Sequence, residues 1–262
     1  MNPQRPPETQ REQQSNGVKA FAARSPFLFA LVFFVVSFCL GLVDLFVLPF
    51  GTDQVVQSGL AIGVLLWLGW LRLAGFNSPS QWRSLYLLWL PGLLALFYLS
   101  SFLLTVHVSG ARAVVLAALF ALLNGLSEEA RFRGVILQAL LPYGWLRAAA
   151  LSAVFFGLLH LPNFLVYPPL LAFGFIVGGF LFGFGYAACR LRTTTIWPLI
   201  IFHACGDLWP FFTVFNGGTA PAFYLSLLYV IVTVVFWVLL LGYGLFLLRP
   251  RRQQQLETRA SQ

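Results

Sequence analysis

Three clusters of polar residues interrupt an otherwise apolar chain, and their side chains are of the kinds that activate a water molecule. The first runs Glu128-Glu129-Ala130-Arg131-Phe132-Arg133, at the end of an apolar stretch. On a helix, Glu129 and Arg133 stand four residues apart and can pair. Glu128 points about 100° away, beside Asn124 and Arg131. One carboxylate is then neutralised structurally while the other stays available for chemistry. The second cluster runs from Phe156 to His160 and is followed by Leu161-Pro162-Asn163. The third runs from His203 to Asp207, a four-residue spacing that puts imidazole and carboxylate on one helix face. Such a pair can orient a proton, bind a metal jointly, or satisfy itself inside a bundle. Cys205 lies about 200° from His203 around the helix and is a poor nucleophile candidate.

Each cluster alone has a bland reading: an interfacial charge group, a helix-end histidine, a self-satisfied pair. Their coincidence is more informative. Two of the three histidines and three of the eight acids in the chain fall in these clusters. An ionisable side chain near the centre of a bilayer costs about 2.5–3.5 kcal/mol, so each needs a partner or a task. Glu, two His and Asp meeting in a dry bundle are a means of activating water, which favours a hydrolytic site over packing.

The elements that must position these residues are membrane spans. The chain has 262 residues, 59% hydrophobic and only 9% charged, with a mean hydropathy of +0.83. A soluble domain carries about a quarter charged residues, and a span needs about 20 apolar ones. The composition therefore predicts an all-α, polytopic membrane protein with about eight transmembrane helices in one bundle. Spans are expected near 27–50, 55–75, 84–106, 111–128, 145–162, 169–189, 194–213 and 222–248, with the fourth helix able to continue to Gln138. Residues 1–25 read as a disordered cytoplasmic tail, 26–249 as the membrane domain and 250–262 as a second cytoplasmic tail.

Arginine and lysine set the orientation. Fifteen fall on one side, among them Arg131 and Arg133, against Arg112 alone on the other. Both termini are therefore expected in the cytoplasm, with the plasma (inner) membrane as the location. The net charge of +8 is read as topology and lipid contact, not nucleic-acid binding. Gly174, Gly178, Gly179, Gly183 and Gly185 make the sixth span smooth, which suits close helix packing. Cys39, Cys189 and Cys205 sit in apolar runs and read as packing residues.

Taken in order, Glu128-Glu129 with Arg133, Phe156 with His160, and His203 with Asp207 resemble the CAAX protease and bacteriocin-processing family of intramembrane proteases, which includes the type II CAAX prenyl endopeptidases. The resemblance covers residues 85–213 in motif order and the whole chain in topology. It implies an intramembrane endopeptidase acting on membrane-associated proteins or peptides, lipidated ones included. By position, Glu128 and His160 would activate the water, and His203 with Asp207 would stabilise the oxyanion. Glu129 and Arg133 would be structural supports. Asp207 departs from the family pattern, which has Asn there; an ionised Asp has no hydrogen-bond donor. Asp207 is then either protonated, a metal ligand, or a partner of His203. The resemblance leaves the cofactor open: no permanent metal is favoured, with Zn²⁺ on His160, His203 and Asp207 as the alternative. The competing functional readings are a proton- or ion-coupled transporter and a non-catalytic immunity or scaffold protein.

Overall fold

The computed structural model describes residues 17–47, 51–106, 111–216 and 227–249. The outer parts of both expected tails, 1–16 and 250–262, lie outside the described residues. Residues 17–24 of the expected N-terminal tail are helical. Their apolar members explain this: Ala22 is buried, Val18 packs on the core, and the Phe21 ring lies 6.2 Å from that of Phe29.

The described residues form helices and turns without strands. The principal helices are α1 (Pro26–Val47), α2 (Thr52–Leu68), α3 (Trp89–Thr105), α4 (Ala111–Glu129), α5 (Trp145–Leu158), α6 (Pro169–Thr193), α7 (Trp197–Asn216) and α8 (Leu227–Leu247). Among the described residues, seven helical segments are long and apolar enough to cross a membrane, and α2 is a shorter apolar helix of 17 residues. A bilayer solvent explains the outer surface: Leu104, Leu170, Phe46 and Leu227 are more than two-thirds exposed. The expected second span, 55–75, is drawn too long at its end, because the helix stops at Leu68 with Gly69 in a left-handed conformation and the chain continues in turns.

The fourth span continues past Glu128, as the reading to Gln138 allowed, and extends to Tyr143 as one 33-residue helical segment. After Glu129 the helix widens to π geometry over Ala130–Ile136, then resumes over Leu137–Leu140. The whole π segment is buried. The Phe132 carbonyl accepts a 2.8 Å hydrogen bond from Ser152 Oγ on α5, a partner outside its own helix. Short π segments are tolerated where neighbouring elements take up the backbone groups, and they concentrate at functional sites. Glu128 thus lies near the middle of its helical segment.

Arg131 and Arg133 are correspondingly buried, at 2% and 1% exposure, and do not belong to a cytoplasmic loop. Arg190 is buried as well, at 6% exposure, so twelve of the fifteen basic residues assigned to one side remain as topological signals.

α4 and α7 approach so closely because Gly125 has no side chain. A Cβ there would lie 2.7 Å from the Ile200 carbonyl oxygen and 3.5 Å from His203 Cβ. This contact brings the first and third polar clusters together, although they are more than 70 residues apart in sequence.

Candidate active site

The three clusters meet between α4, the end of α5 and α7. His203 is at the centre. Its Nδ1 lies 2.7 Å from Glu129 Oε1, and its Nε2 lies 3.3 Å from Glu128 Oε2 and 3.8 Å from Asp207 Oδ2. An N–H on each ring nitrogen complements the carboxylates that face both sides of the ring. Glu129 also pairs with Arg133, Oε1 to Nη1 at 3.0 Å, as the four-residue spacing predicts. Both side chains of that pair are fully buried.

Arg133 is held chiefly by charge and aromatic faces. None of its guanidinium nitrogens makes a well-directed hydrogen bond, despite the short contact with Glu129. Its guanidinium carbon lies 4.3 Å from the Phe156 ring centroid, 5.6 Å from Tyr186 and 5.8 Å from Phe182. Such a cation over several rings compensates part of the lost hydration. Glu129 and Arg133 therefore form a fixed base on which the His203 ring is oriented, and Glu128 is the carboxylate left on the open side. The Glu128 side chain keeps 12% exposure and that of Asp207 23%, against none for Glu129.

Asn124 completes the cluster. Its Nδ2 donates to Asp207 Oδ2 at 2.9 Å and approaches Glu128 Oε1 at 3.3 Å. Asp207 thus accepts a hydrogen bond from an amide and faces His203, the arrangement of a partner for the histidine.

His160 follows the last residues of α5, at the start of a short 3-10 turn. Among the described residues, no hydrogen bond joins it to Glu128 or His203. The Phe156 ring stands edge-on to both imidazoles, at 5.6 Å from His160 and 6.0 Å from His203. Phe156 therefore touches both histidines and links the second cluster to the third. With α4 ending at Glu128, a straight-helix drawing would leave Glu128 and His160 at opposite ends of the bundle. The continuation of that helix to Tyr143 removes the conflict.

Gly179 on α6 lets the His160 ring lie flat against the helix. A Cβ there would sit 2.7 Å from His160 Cδ2 and 3.1 Å from its Nε2. Gly179→Ala is expected to push the ring aside and lower kcat about 100-fold, the cost of misplacing a reacting group by about 1 Å. Its thermal unfolding temperature should fall as well, because the same Cβ would lie 3.2 Å from Gly157 Cα on α5, so kcat is compared on folded protein. An unchanged kcat would show that the position of His160 is immaterial.

The donors proposed for Zn²⁺ do not surround one point. His203 Nδ1 is engaged by Glu129, and the Phe156 ring contacts both imidazoles. Among the described residues, no three or more His, Cys, Asp or Glu side chains are arranged to hold a metal ion. The set His160, His203 and Asp207 does not fit that role in this conformation.

A further group of site-supporting residues is not apparent from the three clusters. Arg131 Nη1 donates to Ser37 Oγ at 3.2 Å, and its Nη2 and Nε donate to the hydroxyl and carbonyl of Ser127 at 3.1 and 3.2 Å. Ser37 and Gln57 exchange two 2.7 Å hydrogen bonds. The guanidinium behind Glu128 is thereby tied to α1 and α2. The available signal was Asp53 and Gln57, polar residues one turn apart in an apolar helix.

Fold and site together define a multi-pass integral membrane protein with a carboxylate–imidazole cluster enclosed by its helices. Residues 110–209 match the family model described as Type II CAAX prenyl endopeptidase Rce1-like. That segment carries Asn124, Glu128, Glu129, Arg133, Phe156, His160, His203 and Asp207, so the site-bearing part of the chain is the part similar to that endopeptidase family. No curated protein and no solved structure matches the chain.

Proposed function

We propose that this protein is an intramembrane endopeptidase, hydrolysing a peptide bond of a membrane-associated protein or peptide with a water activated by Glu128 and His160. The observation that carries the reading is the 3.3 Å approach of Glu128 to His203 inside the Rce1-like segment, with Glu129 holding the other side of the ring. Glu128 takes a proton from water as the oxygen attacks the peptide carbonyl. His160, in ring contact with Phe156, assists this transfer. The proton then passes to the departing amine as the C–N bond breaks. His203, fixed through Nδ1, offers its Nε2–H to the oxyanion as charge develops there. Asp207 acts through His203, since a carboxylate has no donor of its own. Glu129 and Arg133 position the ring and take no part in bond making.

Lipidated proteins are included in the substrate class, and bilayer lipid surrounds the protein on its apolar faces. The twelve remaining cations of that side, against Arg112 on the other, support cytoplasmic termini, with the plasma membrane as the location. In this mechanism the catalytic groups are side chains alone. Exhaustive chelation of the purified protein should leave its rate unchanged; a loss reversed by added Zn²⁺ would overturn that expectation.

The experiment that tests the function compares protein termini in cells expressing wild type or Glu128→Ala at matched membrane levels. New termini confined to wild type, reproduced by purified protein, would establish proteolysis and name substrates. Identical termini with both proteins folded would refute it and direct attention to ion transport.

A further inference from the structure

Asn124 has no part in the hydrolytic scheme above, yet its amide sits where the two carboxylates of the open side come together. Nδ2 is 2.9 Å from Asp207 Oδ2 and 3.3 Å from Glu128 Oε1. Those oxygens belong to different helices, α7 and α4. Both are carboxylate acceptors, so only the NH₂ end of the amide can face them. The amide carries two hydrogens, one for each.

The cluster then closes on itself. Glu128 Oε1 meets Asn124 and Oε2 meets His203 Nε2, while Asp207 Oδ2 meets Asn124 and faces the same Nε2 at 3.8 Å. Two carboxylates are held by two donor groups, one amide and one imidazole. Without the amide, Glu128 and Asp207 repel one another with His203 as their remaining shared donor. The terminal torsion of a glutamate is soft, so its carboxylate would turn readily. The oxygen that should receive the water's proton would leave its place.

We propose that Asn124 is a positioning residue of the hydrolytic site, and that the site requires an amide and a carboxylate opposed at 124 and 207. This inference rests on the endopeptidase reading. It also accounts for Asp207: the amide absent from α7 is supplied from α4.

The test is an exchange cycle on purified full-length protein in lipid nanodiscs, with a peptide spanning a cut found by the comparison of termini. Asn124→Asp places a third carboxylate in the cluster and should lower kcat about 100-fold with little change in KM. Asn124→Leu, which keeps the volume and removes the donor, should lower kcat similarly. The double variant Asn124→Asp/Asp207→Asn should recover at least about tenfold over Asn124→Asp, a coupling of the size found between contacting polar residues. Thermal unfolding is recorded for all variants, because a purely structural clamp would lower the unfolding temperature and leave kcat of the folded protein intact. That result, or an exchange variant no better than Asn124→Asp, would overturn the proposal. If Asn124→Leu misfolds, the comparison of Asn124→Asp with the exchange variant still decides. Lack of any Glu128-dependent cleavage by wild type would instead defeat the endopeptidase reading, and this inference with it.

Discussion

Glu128→Gln should lower kcat by about 10²–10⁴-fold, the range associated with loss of a general base, while the protein stays folded. Glutamine preserves the shape of the side chain and one of its two contacts. Its carbonyl oxygen can accept from Asn124 Nδ2, which lies 3.3 Å from Glu128 Oε1, while its NH₂ group meets the Nε2–H of His203 as donor against donor. What it cannot do is accept a proton from water at neutral pH. The substitution therefore separates chemistry from architecture more cleanly than Glu128→Ala, which also leaves a hole beside Asn124. The measurement is single-turnover cleavage by purified protein, with unfolding temperature as the control. Wild-type rates from a Glu128→Gln protein would remove Glu128 from the base role and require another activating group.

Arg133→Ala should fail differently, through loss of the folded protein. The guanidinium neutralises Glu129 at 3.0 Å, and neither side chain reaches solvent. Removing one member of a buried ion pair leaves an uncompensated charge and costs about 3–5 kcal/mol, a large part of the stability of an ordinary domain. Here the loss also empties the space between Phe156, Phe182 and Tyr186 that the guanidinium fills. Membrane accumulation and unfolding temperature should both fall sharply, and Glu129→Ala should do the same. The double variant Glu129→Gln/Arg133→Met should recover much of the accumulation, because it removes both charges and refills the volume. It should remain poorly active, since His203 loses the carboxylate at Nδ1. A stable, abundant Arg133→Ala protein would show that the pair contributes little to folding.

Those two substitutions separate parts of the site that differ in how far they could be read without the fold. The Glu129–Arg133 pair follows from helical spacing alone, and so does the separate direction of Glu128. His203 and Asp207 share a face for the same reason. The contact between α4 and α7 does not follow from any local pattern. It depends on Gly125 lying against the Ile200 carbonyl, a relation between residues that are remote in the chain. The polar tie from Arg131 through Ser37 to Gln57 was equally hidden, because serine and glutamine carry no formal charge to mark them.

Periodicity, hydropathy and charge placement were enough to determine that this is a multi-pass helical membrane protein, and which side chains within its spans had to find partners. These are one-dimensional consequences of a bilayer solvent: long apolar runs must be helical, and ionisable groups inside them are expensive. The tertiary structure decided the rest. It widened the continuation of α4 into a π segment, buried Arg131 and Arg133 within it, and set the Phe156 ring against both His160 and His203. It also gave Asn124 two carboxylates to hold. Helix ends and helix contacts depend on what the neighbouring helices offer to freed backbone groups and buried charges, and that information is distributed over the whole bundle.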